Sequence, residues 1–251
     1  MNDIGSFFDK HADIYGEFNL PCHADLYILE FINKDQSKTN DFLDLGGGAG
    51  AFARLIKNRF PSSNVTIVDP SRELLNRVGD ESIVRIQGEL PDQLNINNKF
   101  NYIHLNSVLH HITGSSIKES KNLLKKSIVT INNHLENGGY LIVREVFYDG
   151  YLIDSLPRTI LFYFLSLLNM LNVKFPTKEF LKGLKVCFYT RKELSSFFID
   201  GGFEIIDQRD FSWDDNSIGN KYKYIYVKKK LILLKNWGDV LFILKKNNIN
   251  M

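Results

Sequence analysis

The chain has 251 residues, 44% of them hydrophobic and 13% aromatic, and a net charge of +2. This is enough apolar material for one large domain, and it excludes an intrinsically disordered chain or a dedicated polycation. The charge is uneven: Lys221–Lys246 carries eight lysines against one acid, Asp239, so this stretch is +7 and the rest of the chain is about −5. Cys22 and Cys187 are too few and too distant for a disulfide framework or a zinc site, which suits a reducing cytoplasm.

The opening "MNDIGSFFDKHADIYG" has acids where an export signal needs a basic start and an apolar run, and the expectation is a cytoplasmic protein. "HADLYILEFIN" follows as a helix with Leu26, Leu29 and Ile32 on one face. Strands are then expected at Asp41–Leu45, Val65–Val68, Ile83–Ile86, Tyr102–Leu105 and Tyr140–Val146, with helices beginning near Ala49, Ser71 and Ser115. This alternation is the pattern of βαβ units around a parallel sheet. It breaks at Tyr151–Val186, an aromatic-rich stretch punctuated by Pro157 and Pro176 that reads as one or two helices. Its apolar run, Ile160–Leu171, falls short of the ~20 residues that span a bilayer.

"TRKELSSFFIDGGFEIID" then reads as a capped helix, a Gly-Gly stop and a strand, and "KYIYV" as a final strand. The tail, 228–251, has Leu233, Trp237, Val240 and Leu244 at helical spacing with lysines around them. A basic amphipathic helix is expected there, either packed on the domain or in peripheral contact with an anionic membrane.

The stretch "FLDLGGGAGAFARLI" places clustered glycines between a strand and a helix start, the corner at which open α/β sheets receive nucleotides. Two cofactor patterns fit. Gly46, Gly48 and Ala51 with Asp69 satisfy a loose dinucleotide fingerprint. Asp44 followed by the alternate glycines Gly46, Gly48 and Gly50 satisfies the pattern for S-adenosylmethionine.

Further stretches follow in order: "FFDKHADIYGEF", "VTIVDPS", "IQGELP", "LNSVLHHI", "LENGGYLIVREV" and "YTRKELSSFFIDGGFEII". Together they resemble the class I S-adenosylmethionine-dependent methyltransferases, in particular the small-molecule branch that includes quinone-methylating enzymes. The resemblance runs from about Phe7 to Val227, with Tyr151–Val186 as its main departure. It implies a Rossmann-like α/β fold in a single domain, 1–251. That fold has a seven-stranded, mainly parallel sheet with helices on both faces and an antiparallel last strand; the segment 151–186, which interrupts the family pattern after strand five, is expected either as a helical lid over the acceptor site or as a helix packed on the sheet or in a dimer interface.

The resemblance also implies site roles. Tyr15 would close over the donor, Gly46, Gly48 and Gly50 would admit its amino acid and ribose portion, Asp44 would orient that loop or accept from the donor's ammonium through water, and Asp69 with Pro70 beside it would hold the ribose. Gly88, Glu89 and Leu90 would form the adenine side; Glu89 departs from the aspartate common there. Asn106 and His111 would line the donor pocket. His110 or His111 would serve as a base, or else line the cofactor or cap the next helix without taking a proton; Glu145, by its place at the end of strand five where open α/β sheets bind ligands, is expected to contact the acceptor or pair with Arg144 or Arg191.

His11, His23, His104 and His134 show no partner pattern and are expected in surface or packing roles, and no metal-ligand spacing occurs. The chain lacks the Asn- or Asp-Pro-Pro-aromatic run of amide and adenine-amino methyltransferases, and no basic aromatic groove for nucleic acid is visible. The expected acceptor is a small molecule methylated on oxygen, carbon or nitrogen, hydrophobic or aromatic where Phe162, Tyr163, Phe164, Met170 and Phe175 face it from a lid, and the implied product is S-adenosylhomocysteine. The alternatives are a non-catalytic donor-binding partner subunit, a protein or RNA methyltransferase and, less favoured, an NAD-dependent dehydrogenase. A homodimer is left open.

Overall fold

The computed structural model describes residues 4–15, 21–35, 41–92, 94–171, 184–211 and 234–247. Short N-terminal helices α1 (Ile4–Lys10) and α2 (Ala12–Tyr15) precede α3 (His23–Lys34). The alternating core then runs β1 (Asp41–Leu45), α4 (Ala51–Arg59), β2 (Asn64–Asp69), α5 (Arg72–Asn76), β3 (Ile83–Gln87), β4 (Phe100–Asn106), α6 (Ile117–Asn133) and β5 (Leu135–Gly150). The remaining elements are α7 (Leu156–Met170), α8 (Arg191–Asp200), β6 (Phe203–Phe211) and β7 (Leu234–Lys246).

The seven strands lie in the order β3-β2-β1-β4-β5-β7-β6, and β7 runs antiparallel to both β5 and β6. The remaining neighbours, from β3 across to β5, are paired in parallel. The direction of winding reverses between β1 and β4, and open α/β sheets offer their ligand crevice at the strand ends beside such a reversal.

Both faces of the sheet are covered. Leu43, Leu45, Ile103, Leu105, Leu141 and Val143 pack against α6, α8 and Phe162 of α7. Phe42, Ile67, Tyr102 and Ile142 pack against α3 and α4 through Ile28, Ile32, Phe52, Ala53 and Ile56. Alternate residues of each strand therefore serve opposite layers, as the period of two requires. On α3 the buried face is Ala24, Ile28 and Ile32, whereas Leu26 is exposed. The i, i+4 spacing selected the inward stripe there, and the expected inclusion of Leu26 is incorrect.

The tail contradicts the expected amphipathic helix. Leu234–Lys246 is a strand in which every residue from Val240 to Leu244 is almost wholly buried. Inserted between β5 and β6, β7 has a helix layer on each side, so an unbroken apolar run suits it. Its leucines and lysines match helical spacing by coincidence of sequence. Membrane contact through a helix over Leu234–Lys246 is thereby excluded. The strand expected at "KYIYV" lies outside the described residues, and the seventh strand is the later one. Among the described residues, no helix is long and apolar enough to cross a membrane.

Helix starts are encoded locally. Ser71 and Ser116 accept hydrogen bonds from the backbone N–H groups of Leu74 and Glu119. Thr190 and Glu193 form a reciprocal capping box on α8. Removing the Thr190 hydroxyl is expected to cost about 1 kcal/mol; chemical denaturation of Thr190→Ala, read as a lowered midpoint at constant slope, checks this.

Candidate active site

The β1–α4 turn is bare backbone held under constraint. Gly46, Gly48 and Gly50 have φ of 70°, 54° and 79°, left-handed values that cost a residue with Cβ and explain the alternate spacing. Gly47 is required for a different reason: a Cβ there would lie 2.6 Å from Asp44 Oδ2 and 2.9 Å from Ile67 Cγ2. Asp44 is 3% exposed at the end of β1, and its Oδ2 has no hydrogen-bond partner among the described residues. A loop without side chains over a buried acceptor without a donor fits a ligand with a cationic, hydrogen-bonding end.

Asp69 closes the same corner from β2. Its Oδ2 accepts from Gly48 N–H at 2.9 Å and its Oδ1 from Ser71 N–H at 2.8 Å. Burial pushes its pKa up to about 6; the two backbone donors oppose the rise, and the carboxylates of Asp44 and Asp9 add to it. Pro70 is half-buried beside it and accepts from the Gln87 amide through its carbonyl. The adenine-side candidates differ in setting. Gly88 is buried and donates its N–H to the Asp69 carbonyl, Glu89 is exposed, and half-buried Leu90 packs on the main core.

The N-terminal helices cover this corner. Asp9 accepts from Ser71 Oγ at 2.5 Å and Glu73 N–H at 3.1 Å, while Arg77 donates to Ala12 O and Asp13. Tyr15 is the last residue of α2. Phe8 meets the His111 ring edge-on at 5.3 Å.

The tip of β4 ends in exposed Asn106 and then Ser107, which has φ of 57° and leads into a single 3-10 turn at Leu109–His111. Glu145 holds this turn from below. Its Oε1 lies 2.6 Å from His110 Nδ1 and accepts from Val146 N–H at 2.8 Å, and its Oε2 accepts from Leu109 N–H at 2.7 Å. Since the carboxylate accepts, this contact selects the tautomer with its proton on Nδ1 and its lone pair on Nε2.

Glu145 is 1% exposed and is buried against His110. It pairs with His110 and not with the expected Arg144 or Arg191. Arg144 instead bonds Asp239 and Cys22, and Arg191 bonds Asp149 and Asp210. His111 is held well below the ordinary imidazole range by burial, reinforced by His110, so it stays neutral.

Residues 184–190 cross beside this tip, anchored by Cys187 N–H to His110 O and by Tyr148 N–H to Tyr189 O. They bring Phe188 against His110 in a stacked contact at 4.9 Å and against Tyr148 edge-on at 4.6 Å. The aromatic wall beside His110 is therefore Phe188 and Tyr148, neither of which the sequence singled out. Of the residues expected to face the acceptor from the insertion, Phe162 is core, Tyr163, Phe164 and Met170 are exposed, and Phe175 is outside the described residues. Among the described residues no cluster could hold a metal ion.

Residues 19–208 match the model of the methyltransferase domain family. The chain belongs to this family, the S-adenosylmethionine-dependent methyltransferases of class I. It is 31% identical over 74 residues, 30% of its length, to malonyl-[acyl-carrier protein] O-methyltransferase 2 of Ilyobacter polytropus. It is 26% identical over 162 residues, 64% of its length, to myricetin 7/4'-O-methyltransferase 2 of Solanum habrochaites. These matches span only 29% and 40% of the two relatives. An S-adenosylmethionine-dependent methyltransferase structure from Clostridium acetobutylicum shares the fold, with a TM-score of 0.61 at 17% identity over 96% of this chain and 99% of that one.

Proposed function

We propose that the chain transfers the methyl group of S-adenosylmethionine to a hydroxyl of a small aromatic or apolar molecule. The observation that carries the reading is the His110–Glu145 pair, a buried imidazole with its proton committed to a carboxylate at 2.6 Å, beside an aromatic wall. The two curated relatives act on oxygen by name, which supports the same atom.

The donor supplies an electrophilic methyl on a sulfonium. The chain's own residues do the rest. Asp69 accepts from the ribose hydroxyls, Gly46–Gly50 admit the donor along bare backbone, and Asn106 and His111 border it at the β4 tip. His110 Nε2 takes the acceptor's hydroxyl proton while the oxygen forms its bond to carbon and the carbon–sulfur bond breaks, leaving S-adenosylhomocysteine. Phe188 and Tyr148 offer a planar acceptor a stacking surface. The lid role of 151–186 is retained for α7, which packs through Leu165 with Phe7, Leu184 and Val186.

Calorimetry is expected to show binding of S-adenosylhomocysteine and none of NAD; the reverse result overturns the donor reading. The acceptor atom is tested separately with a phenol and with a carboxylate thioester. A phenol must lose a proton, whereas a carboxylate is already ionised at neutral pH. Methylation of the phenol that depends on His110 supports the proposal. Methylation of the carboxylate alone, indifferent to His110, places the chain's chemistry with acid esterification instead.

A further inference from the structure

His104 was expected to be a surface or packing histidine, yet it lies in the sheet directly opposite Asp44 in the β1–β4 register. Its Nδ1 is 2.8 Å from Asp44 Oδ1, and both side chains are about one-twentieth exposed. Phe52 of α4 stacks on the imidazole at 3.7 Å and fixes the plane of the ring. A buried carboxylate with one partnered and one unpartnered oxygen is costly, because each lone acceptor forfeits its hydration. Here the unpartnered oxygen, Oδ2, is the one beneath the loop. Oδ2 is itself shielded from solvent and lies directly beneath the Gly47 backbone, where a Cβ would stand 2.6 Å away.

We propose that His104 is a positioning residue for the donor's amino acid end. It donates Nδ1–H to Asp44 Oδ1, so that Oδ2, under the Gly47 bend, is held for the ammonium of the donor. Gly47 is the third member of this seat, required by the carboxylate below it where its neighbours are required by backbone angle. The inference rests on the reading of Gly46–Gly50 as the donor's resting place and adds the residue that aims the anion there. An anion buried beneath the loop acts on a cation in a medium that screens it weakly, which gives the arrangement its value for recognition.

Two ligands separate this role from simple support of the fold. S-adenosylhomocysteine carries the amino acid tail; 5′-methylthioadenosine has the same adenine, ribose and thioether without it. His104→Leu is expected to weaken S-adenosylhomocysteine about tenfold or more, the scale of a hydrogen bond to a charged group, and to leave 5′-methylthioadenosine within about twofold, an allowance for context. His104→Asn, whose amide N–H can stand in for Nδ1–H, is expected to recover most of the loss. Gly47→Ala keeps His104 but presses a Cβ onto Asp44 and displaces Oδ2, and the same selective weakening is expected.

Equal weakening of both ligands in these variants would show a structural role and overturn the inference. So would unchanged binding of S-adenosylhomocysteine, or a failure of His104→Asn to recover it. If the unaltered protein binds neither ligand, the donor reading itself falls, and the inference with it.

Discussion

Asp69→Ala is expected to lower the affinity for S-adenosylhomocysteine about 100-fold, roughly 3 kcal/mol, the value of charge-assisted hydrogen bonds to two hydroxyls in a site closed to water. The same carboxylate predicts a pH dependence. Without donor, burial pushes Asp69 up to about 6, above the ordinary 3.8 of an aspartate in solution. Folding therefore favours its protonated form, and the stability it contributes is present below about pH 4 and lost as pH rises through about 6.

Donor binding has the opposite sign, because ribose hydroxyls donate to the ionised form. Affinity is expected to be constant above about pH 7 and to fall as pH drops through about 6, approaching tenfold per unit below it. The increment in melting temperature caused by S-adenosylhomocysteine should accordingly be larger at pH 7.5 than at pH 5. A flat affinity from pH 5 to 8, or an Asp69→Ala variant that binds as well as the parent, removes Asp69 from the donor site.

Glu145→Gln is expected to reduce turnover of a hydroxyl acceptor by about 100-fold or more, within the range for loss of a positioned base. The substitution alters little in shape, but the amide can present an N–H to His110 Nδ1. That reverses the tautomer and puts the ring proton on Nε2, where the lone pair is needed. His110→Ala should lower turnover to a similar level, and the double variant should be little worse than either single one, because the two residues act as a unit. Donor affinity should stay within about twofold in all three, since neither side chain belongs to the Gly46–Gly50 or Asp69 corner. Single-turnover rates and calorimetry together decide it; a rate unchanged in both single variants rejects His110 as the base.

Much of the architecture was legible in local pattern. Strands β1 to β4 and the helices α4 to α6 lie within a few residues of their expected places, because period-two runs bounded by Ser caps and glycine turns are signals carried by neighbouring residues. The glycine corner was legible for the same reason. The tail was not: between Val240 and Leu244 a fully buried strand has no polar face to reveal its period, so the flanking lysines suggested a helix.

The candidate site shows the same division. Asp44, Gly46, Gly48, Gly50 and Asp69 stand in one short stretch and at the next strand end, and their order along the chain was sufficient to nominate them. Which side chains meet across strands was decided only by the fold. His104 gains its meaning from parallel register with Asp44, sixty residues away. Glu145 turns beneath His110 because the β5 tip lies under the turn that follows β4, a relation that no spacing between residues 110 and 145 could express. Phe188 reaches His110 because residues 184–190 cross the strand ends. The sequence by itself determined the family, the glycine corner and the alternation that builds the sheet, since these depend on contacts among near neighbours. The partner of each buried charge, and so the proton's place on His110, was decided by the tertiary structure alone, because strand pairing brings together groups that the chain keeps far apart.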